Sequence, residues 1–104
     1  MTLSSAQKKD YKRIGHHLKP VVIVSDQGAS EGVLSELNRA LDDHELIKIR
    51  ISVADRETKN ALVEQVCKAS GAELVQVIGK MAILLRKNKK ANPNLSNLVR
   101  FKEM

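Results

Sequence analysis

Hydrophobic and polar residues alternate along the chain at spacings that predict helices and strands in turn. Ser4, with Gln7 three residues later, forms a capping-box pattern that predicts a first helix reaching about His17 or Leu18. Pro20 stops that helix, since the residue before a proline is disfavoured in helical conformation. The apolar run at residues 21–24 then predicts a short buried strand.

Two further helices are predicted from caps and from apolar residues at helical spacing. Ser30 can cap a helix that extends to about Leu41 and ends at Asp42 and Asp43. Its apolar stripe consists of Val33, Leu34, Leu37, Ala40 and Leu41. Asp55 can cap the next helix, and Gly71 offers a C-terminal stop. The apolar stripe predicted for that helix consists of Ala61, Leu62, Val66 and Ala69.

The remaining apolar segments predict strands. Residues 46–52 alternate, with three isoleucines on one face and Lys48 and Arg50 on the other, which is typical of a half-buried strand. Residues 74–78 and 81–86 are apolar runs separated by Gly79 and Lys80, the spacing of a tight antiparallel hairpin. From Lys87 onward the chain is polar and basic, with a helical turn predicted at residues 95–101.

The order helix, strand, helix, strand, helix, strand, strand predicts an α/β fold with helices packed on a four-stranded mixed sheet. Both strand–helix–strand crossovers are expected to be right-handed. We therefore expect one domain over residues 1–87, followed by a basic polar tail over residues 88–104.

Composition argues against several classes of protein, namely those that depend on disulfides or metals, those that are exported, and those that stack bases on aromatic rings. A chain of 104 residues with 42% hydrophobic residues can bury a core without metals or disulfides, and Cys67 has no second cysteine to pair with. We expect a cytoplasmic protein, because one cysteine suits a reducing compartment and no secretory signal or membrane span is evident. We also expect a monomer. Only Tyr11 and Phe101 are aromatic, which excludes stacking of several bases on a row of rings.

The net charge of +6 is unevenly distributed. Residues 1–25 carry +4, residues 26–73 carry −4 and residues 74–104 carry +6. If the fold brings the two basic ends together, they form one polyanion-binding face, and the alternative is a set of ordinary solvated surfaces. A basic chain of this polarity favours nucleic acid as the partner.

Several ordered segments resemble a known family. They are residues 17–21 (HLKPV), 28–33 (GASEGV), 40–41, 44–49 (HELIKI), 79–80 and 84–86 (LLR). Together these segments are similar to the YhbY-like or CRM (chloroplast RNA splicing and ribosome maturation) domain over about residues 3–87. The resemblance implies a fold similar to the C-terminal domain of translation initiation factor three. It also implies RNA binding and, for bacterial single-domain members, association with precursors of the large ribosomal subunit.

The resemblance also draws attention to one loop. The family usually has Gly-Lys-x-Gly between the first strand and the second helix, where glycines let a sugar–phosphate backbone approach peptide N–H groups. This chain has Ser25, Asp26, Gln27 and Gly28. Asp26 places a carboxylate where a cation is usual, which opposes phosphate approach. We interpret the loop as facing RNA with reduced or redirected affinity, although without the family it is an ordinary polar turn.

Candidate RNA-binding residues combine this loop with cations elsewhere. Arg86 and Lys87 follow the last strand, where Leu85 replaces a tyrosine common in the family, and Lys12, Arg13 and His16 share a face of the first helix. A solvated helix face or strand end is the alternative for each. The full predicted set is Lys12, Arg13, His16, Lys19, Ser25, Asp26, Gln27, Gly28, Ser30, Lys80, Arg86 and Lys87.

Catalytic, metal and cofactor sites are not predicted. His16, His17 and His44 lack zinc-ligand spacing, and Cys67 has no CxxC partner. We expect His17 and His44 to have structural roles at element ends, and Cys67 to lie at the edge of the core. The leading hypothesis is a non-enzymatic protein that binds ribosomal RNA through its backbone and assists large-subunit assembly. The alternative is a protein-interaction module that docks an acidic partner or uses the other side of the sheet.

Overall fold

The computed structural model describes residues 4–90 and 95–100. Its elements follow the predicted order and end with one short helix. They are α1 (Ser5–His16), β1 (Pro20–Val24), α2 (Glu31–His44), β2 (Leu46–Ile51), α3 (Arg56–Ser70), β3 (Glu73–Ile78), β4 (Met81–Leu85) and α4 (Asn97–Arg100). The predicted helical turn near the C-terminus is confirmed for α4, whereas Phe101 lies outside the described residues.

The three predicted helix caps are confirmed. Ser4 forms both hydrogen bonds of the capping box with Gln7. Ser30 accepts a hydrogen bond from the backbone N–H of the third residue of α2. Asp55 accepts from both the backbone N–H and the hydroxyl of Thr58, and these bonds lower the pKa of its carboxyl below 3.8. Gly71 ends α3 in the left-handed conformation, with φ of 74°.

The sheet is mixed, as predicted, and its strand order is β1-β2-β4-β3. β1 and β2 are parallel, whereas β4 is antiparallel to both β2 and β3. Consequently β1, β2 and β3 all run in the same direction, and their carboxyl ends meet at one edge of the sheet. We call this edge the loop end, because residues 25–30, residues 52–55 and the β3–β4 turn all lie there.

Helices pack on both faces of the sheet. The main core lies between the sheet and helices α2 and α3, and contains Val22, Val24, Leu37, Leu41, Ile47, Ile49, Ile51, Leu62, Val63, Val66, Ala72, Ala82 and Leu84. A smaller core on the other face joins Ile14, Tyr11 and Leu18 of the α1 region to Leu46, Val75, Ile83 and Leu85. We call this second side of the sheet the α1 face. Gly15 allows the close approach of α1, because a Cβ there would clash with Ile83.

Two details of the predicted helices are wrong. Asp42 and Asp43 do not end α2, which continues to His44 and ends at Glu45 with φ of 61°. The Asp42 carboxylate, in the last turns of α2, pairs with Arg86 at 2.8 Å. The apolar stripe of α3 is also rotated relative to the prediction, since Ala61 and Ala69 are exposed. The buried positions are Leu62, Val63, Val66 and Ser70, which recur at three- and four-residue intervals.

The described part of the C-terminal segment packs back onto the sheet, where buried Glu45 accepts hydrogen bonds from it. The Glu45 carboxylate accepts hydrogen bonds from the Ser96 hydroxyl and from the Asn88 backbone N–H, both at 2.6 Å. Asn97 donates to the Leu46 carbonyl at 2.6 Å, and the His44 ring contacts the Leu95 carbonyl at 2.8 Å. The predicted structural role of His44 at an element end is therefore confirmed. None of the helices in the described ranges is long and apolar enough to cross a membrane.

Candidate nucleic-acid interface

The loop between β1 and α2 forms a compact turn at the loop end. The Gly28 N–H donates to the Ser25 carbonyl at 2.9 Å, and the Ser30 N–H donates to the Gly28 carbonyl at 3.0 Å. Ser25 is half-buried, whereas Asp26 and Gln27 are exposed. The two side chains that this turn presents to solvent are therefore a carboxylate and an amide.

Gly28 is buried, and its environment gives a reason for glycine that does not involve a ligand. Its φ is 75°, in the region that favours glycine. A Cβ at this position would lie 2.8 Å from the Gln65 side-chain oxygen and 3.2 Å from a Leu62 methyl carbon. The turn thus packs against α3, and its positive φ favours glycine here whether or not a ligand is bound.

Three cations lie at the loop end, at the start of α3 and in the β3–β4 turn. The Lys80 carbonyl accepts a hydrogen bond from the Ile51 N–H at 2.7 Å, which fixes the β3–β4 turn beside the end of β2. Lys59 donates to the Gly79 carbonyl at 2.8 Å. Arg56 opens α3 and lines, with Lys59 and Lys80, a cleft of about 410 Å³. Sequence reasoning included Lys80 but missed Arg56 and Lys59, because only the fold brings the start of α3 next to the hairpin turn.

The predicted cations of the first helix lie on α1, away from this loop. Lys12 is half-buried and His16 is exposed, while exposed Arg13 pairs with Asp10 at 3.6 Å. Lys19 is exposed and precedes β1. Because Lys19 and Ser25 flank the strand at opposite ends, they are separated by about 20 Å. The predicted residues therefore do not form one compact site.

Arg86 holds the helical layer against the sheet. Its guanidinium donates to the side-chain oxygen and the carbonyl of Asn38, at 2.7 and 3.1 Å, and to the Ser70 carbonyl at 2.7 Å. It also pairs with Asp42, and its side chain is only 25% exposed. Arg86 is therefore neither freely exposed nor part of a solvated strand end, because these four contacts join α2, α3 and the end of β4. Its contact with RNA remains a prediction, whereas Lys87 beside it is exposed.

Charge is segregated between the two helical layers. On the α1 side, α1 carries four lysine or arginine residues and one acid, Asp10. Lys48 and Arg50 add two more cations on that side, and exposed Lys19 lies just before β1. In the other layer, α2 and α3 together carry six acids and four bases.

Lys48 and Arg50 were missed as candidates, although the alternation in β2 had already placed them opposite the three buried isoleucines. The alternation predicts only which face they occupy, because the sheet order alone shows which neighbours lie beside them. Ile23 of β1 and Met81 of β4 flank Arg50 in the sheet register. The candidate interface therefore includes strand residues as well as loop and helix residues.

Cys67 and the histidines form no catalytic arrangement in the described residues. Cys67 packs against the main core, as predicted, and burial raises the pKa of its thiol to about 11. The thiol thus stays protonated at neutral pH, where a nucleophilic cysteine would be a thiolate. His44 is held by the Leu95 carbonyl.

Comparison with protein-family models identifies a match over nearly all of the chain. The model of the CRS1 / YhbY (CRM) domain matches residues 3–86. This range contains every element from α1 to β4 and all of the predicted candidate residues except Lys87.

Several curated proteins are similar over nearly their full length. A protein of Pseudomonas aeruginosa named as a probable RNA-binding protein is 56% identical over 101 residues, which cover 97% of each chain. An RNA-binding protein of Haemophilus influenzae is 43% identical over 90% of this chain and 95% of its own. Among solved structures, the solution structure of the Staphylococcus aureus protein SAV1595 has a TM-score of 0.75 at 29% identity. That match covers 86% of this chain and 93% of the other, which confirms the α/β fold.

Proposed function

This chain belongs to the CRS1 / YhbY (CRM) domain family, and from that premise we propose that it is an RNA-binding protein without enzymatic activity. It holds ribosomal RNA mainly by its phosphates and assists assembly of the large ribosomal subunit. Relatives that carry RNA binding in their names support the first part of this proposal. The ribosomal part rests on what the family resemblance implies.

The charge segregation between the two helical layers is the observation that carries the proposal. Cations gather on α1, before β1 and on β2, whereas α2 and α3 carry an excess of acids. A polyanion is therefore attracted to one side of the molecule and repelled from the other. An uneven electrostatic field of this kind orients an approaching nucleic acid before any specific contact forms.

The individual cations act on phosphates rather than on bases. Lys12, Lys19 and Lys48 carry point charges on flexible stems, which bind phosphate without demanding one geometry. Arg13 is weakened by its pairing with Asp10 and contributes less. Because phosphate contacts position a protein without reading bases, sequence preference is expected to be weak.

The direct test is the salt dependence of RNA binding. Fluorescence anisotropy with labelled fragments of large-subunit ribosomal RNA gives the dissociation constant at KCl concentrations between about 50 and 200 mM. Neutralising four or five phosphates on a single strand predicts a slope of about −3 for log affinity against log salt. Lys12→Gln combined with Lys19→Gln should weaken binding and flatten the slope. Lys68→Gln, an exposed cation on α3, is the matched control and should do neither.

The ribosomal part needs a separate measurement. Sucrose-gradient fractions of a cell lysate should contain the protein in precursors of the large subunit, and both ribonuclease and high salt should release it. Absence from those fractions contradicts the assembly role but leaves RNA binding intact. Retention after ribonuclease, with release by high salt alone, favours the alternative, a module that binds a ribosomal protein or another acidic partner.

A further inference from the structure

Four side chains form a row across the whole sheet on the α1 face. The strand register places Ile23 beside Arg50, Arg50 beside Met81, and Met81 beside Ile78. At the usual strand separation this row is about 14 Å long. We call these four residues the open row.

The open row is uncovered because α1 stops short of it. Gly15 of α1 lies over Ile83, one register row away, and Ile83 is 1% exposed. In contrast, Ile23 is 62% exposed and Ile78 is 41% exposed. Arg50 is also exposed, and Met81 is half-buried. Large aliphatic side chains thus remain in solvent on both sides of an arginine.

Charge complementarity identifies the occupant of this surface. Of the described strand residues that the register places on the α1 face, Glu73 is the one acid, and it lies opposite Leu85, two rows away. Lys48 lies one row from Arg50 on the same strand, and Lys80 precedes Met81 in the β3–β4 turn. A surface with exposed aliphatic groups and nearby cations suits a ligand with apolar faces and a negatively charged backbone.

We propose that single-stranded RNA crosses the α1 face along the open row, an inference that rests on the proposed function. The Arg50 guanidinium binds a phosphate, and bases lie on Ile23 at one side and on Met81 and Ile78 at the other. A four-stranded sheet is wide enough for two or three bases, as in the RRM fold. Here aliphatic side chains replace the aromatic rings, so each base contact is weaker and the cations contribute a larger share of the affinity.

Two single substitutions separate the two kinds of contact. Arg50→Gln removes one phosphate contact, so binding to an oligouridine should weaken and the salt slope should lose about 0.7 of its magnitude. Ile23→Ser removes apolar contact without changing charge. Binding should weaken about three- to tenfold while the salt slope stays that of the parent.

The matched controls lie on the opposite side of the sheet. Arg39→Gln removes an exposed arginine of α2, and Leu74→Ser shortens a side chain that is 39% exposed on β3. Both controls should bind oligouridine as the parent does. Thermal unfolding checks each variant, and Ile23→Thr, which keeps the β-branched shape, replaces Ile23→Ser if the serine variant does not fold.

Photo-crosslinking locates the RNA directly. An oligouridine that contains 4-thiouridine should crosslink to peptides that include Ile23 and Met81, as identified by mass spectrometry. Parental affinity in both Arg50→Gln and Ile23→Ser, with crosslinks elsewhere, overturns the open row as the RNA path and leaves the proposed function standing. Failure of the parent to bind any RNA overturns both proposals, and a protein partner would then be the remaining occupant of the row.

Discussion

Replacing Arg86 gives a quantitative test of how α2 and α3 are held on the sheet. Replacing it with alanine removes three part-buried hydrogen bonds to Asn38 and Ser70, together with the ion pair to Asp42. It leaves the Ser70 carbonyl and the Asn38 side chain with fewer partners. The protein should therefore become less stable without losing any apolar core residue.

The magnitude follows from the exposure of each partner. A hydrogen bond from a charged donor contributes about 1.5 to 3 kcal/mol, but these bonds share one guanidinium and do not add fully. The carboxylate side chain of Asp42 is 65% exposed, so its ion pair contributes at most about 0.5 kcal/mol. We expect Arg86→Ala to lower the free energy of unfolding by about 2 to 4 kcal/mol, which corresponds to a fall in Tm of roughly 10 to 20 °C.

Thermal and urea unfolding, followed by circular dichroism, measure this change. Arg86→Lys keeps the charge but not the planar fork that reaches two helices, so it should recover less than half of the loss. Lys87→Ala changes the exposed neighbouring cation and should stay within about 0.5 kcal/mol of the parent. If Arg86→Ala unfolds within about 3 °C of the Lys87 variant, the guanidinium does not clamp the layer. In that case Arg86 would be available to bind phosphate, as the sequence predicts.

Three other predictions concern the loop end. Gly28→Ala should destabilise the protein by about 1 to 3 kcal/mol because of its positive φ and tight packing, whereas Gly32→Ala, with open space around it in α2, should be neutral or stabilising in the same urea titration. Asp55→Ala should lower stability at neutral pH. The lowered pKa of Asp55 means that its contribution is present above pH 3.8 and is lost as pH falls through the folded-state value, so urea midpoints of parent and variant should converge in acid. Asp26→Lys should raise affinity for ribosomal RNA fragments several-fold by removing phosphate repulsion, and unchanged or weaker anisotropy binding would show that this exposed carboxylate does not oppose a phosphate.

The architecture could be predicted from sequence because its signals are local. Caps at Ser4, Ser30 and Asp55 and the hairpin spacing around Gly79 depend on residues within a few positions of one another. The alternation in β2 likewise separated buried from exposed side chains correctly. Each of these patterns depends on hydrogen bonds or alternation within a short segment, so little tertiary information was needed.

The errors and omissions concern partners that are distant in sequence. Asp42 lies inside α2, where its carboxylate pairs with Arg86, 44 residues later. Because of the same pairing, Arg86 is not freely exposed. Its position after an apolar strand had suggested a surface residue. Arg50 was overlooked for the converse reason, since its neighbours Ile23 and Met81 belong to other strands.

The charges around the glycine turn determine where RNA affinity is concentrated in the proposed interface. At the loop end, Asp26 and the acids that begin α2 and α3 offset the cations of α3 and the hairpin turn, so an approaching phosphate meets little net attraction there. Gly28 is explained by packing against α3, and it does not require RNA contact at the turn. Of the described strand residues on the α1 face, the one acid, Glu73, lies two rows from Arg50, and exposed aliphatic side chains add contact area there. RNA should therefore depend more on Arg50 than on the turn, and Arg50→Gln should weaken binding more than any neutral substitution at Gln27.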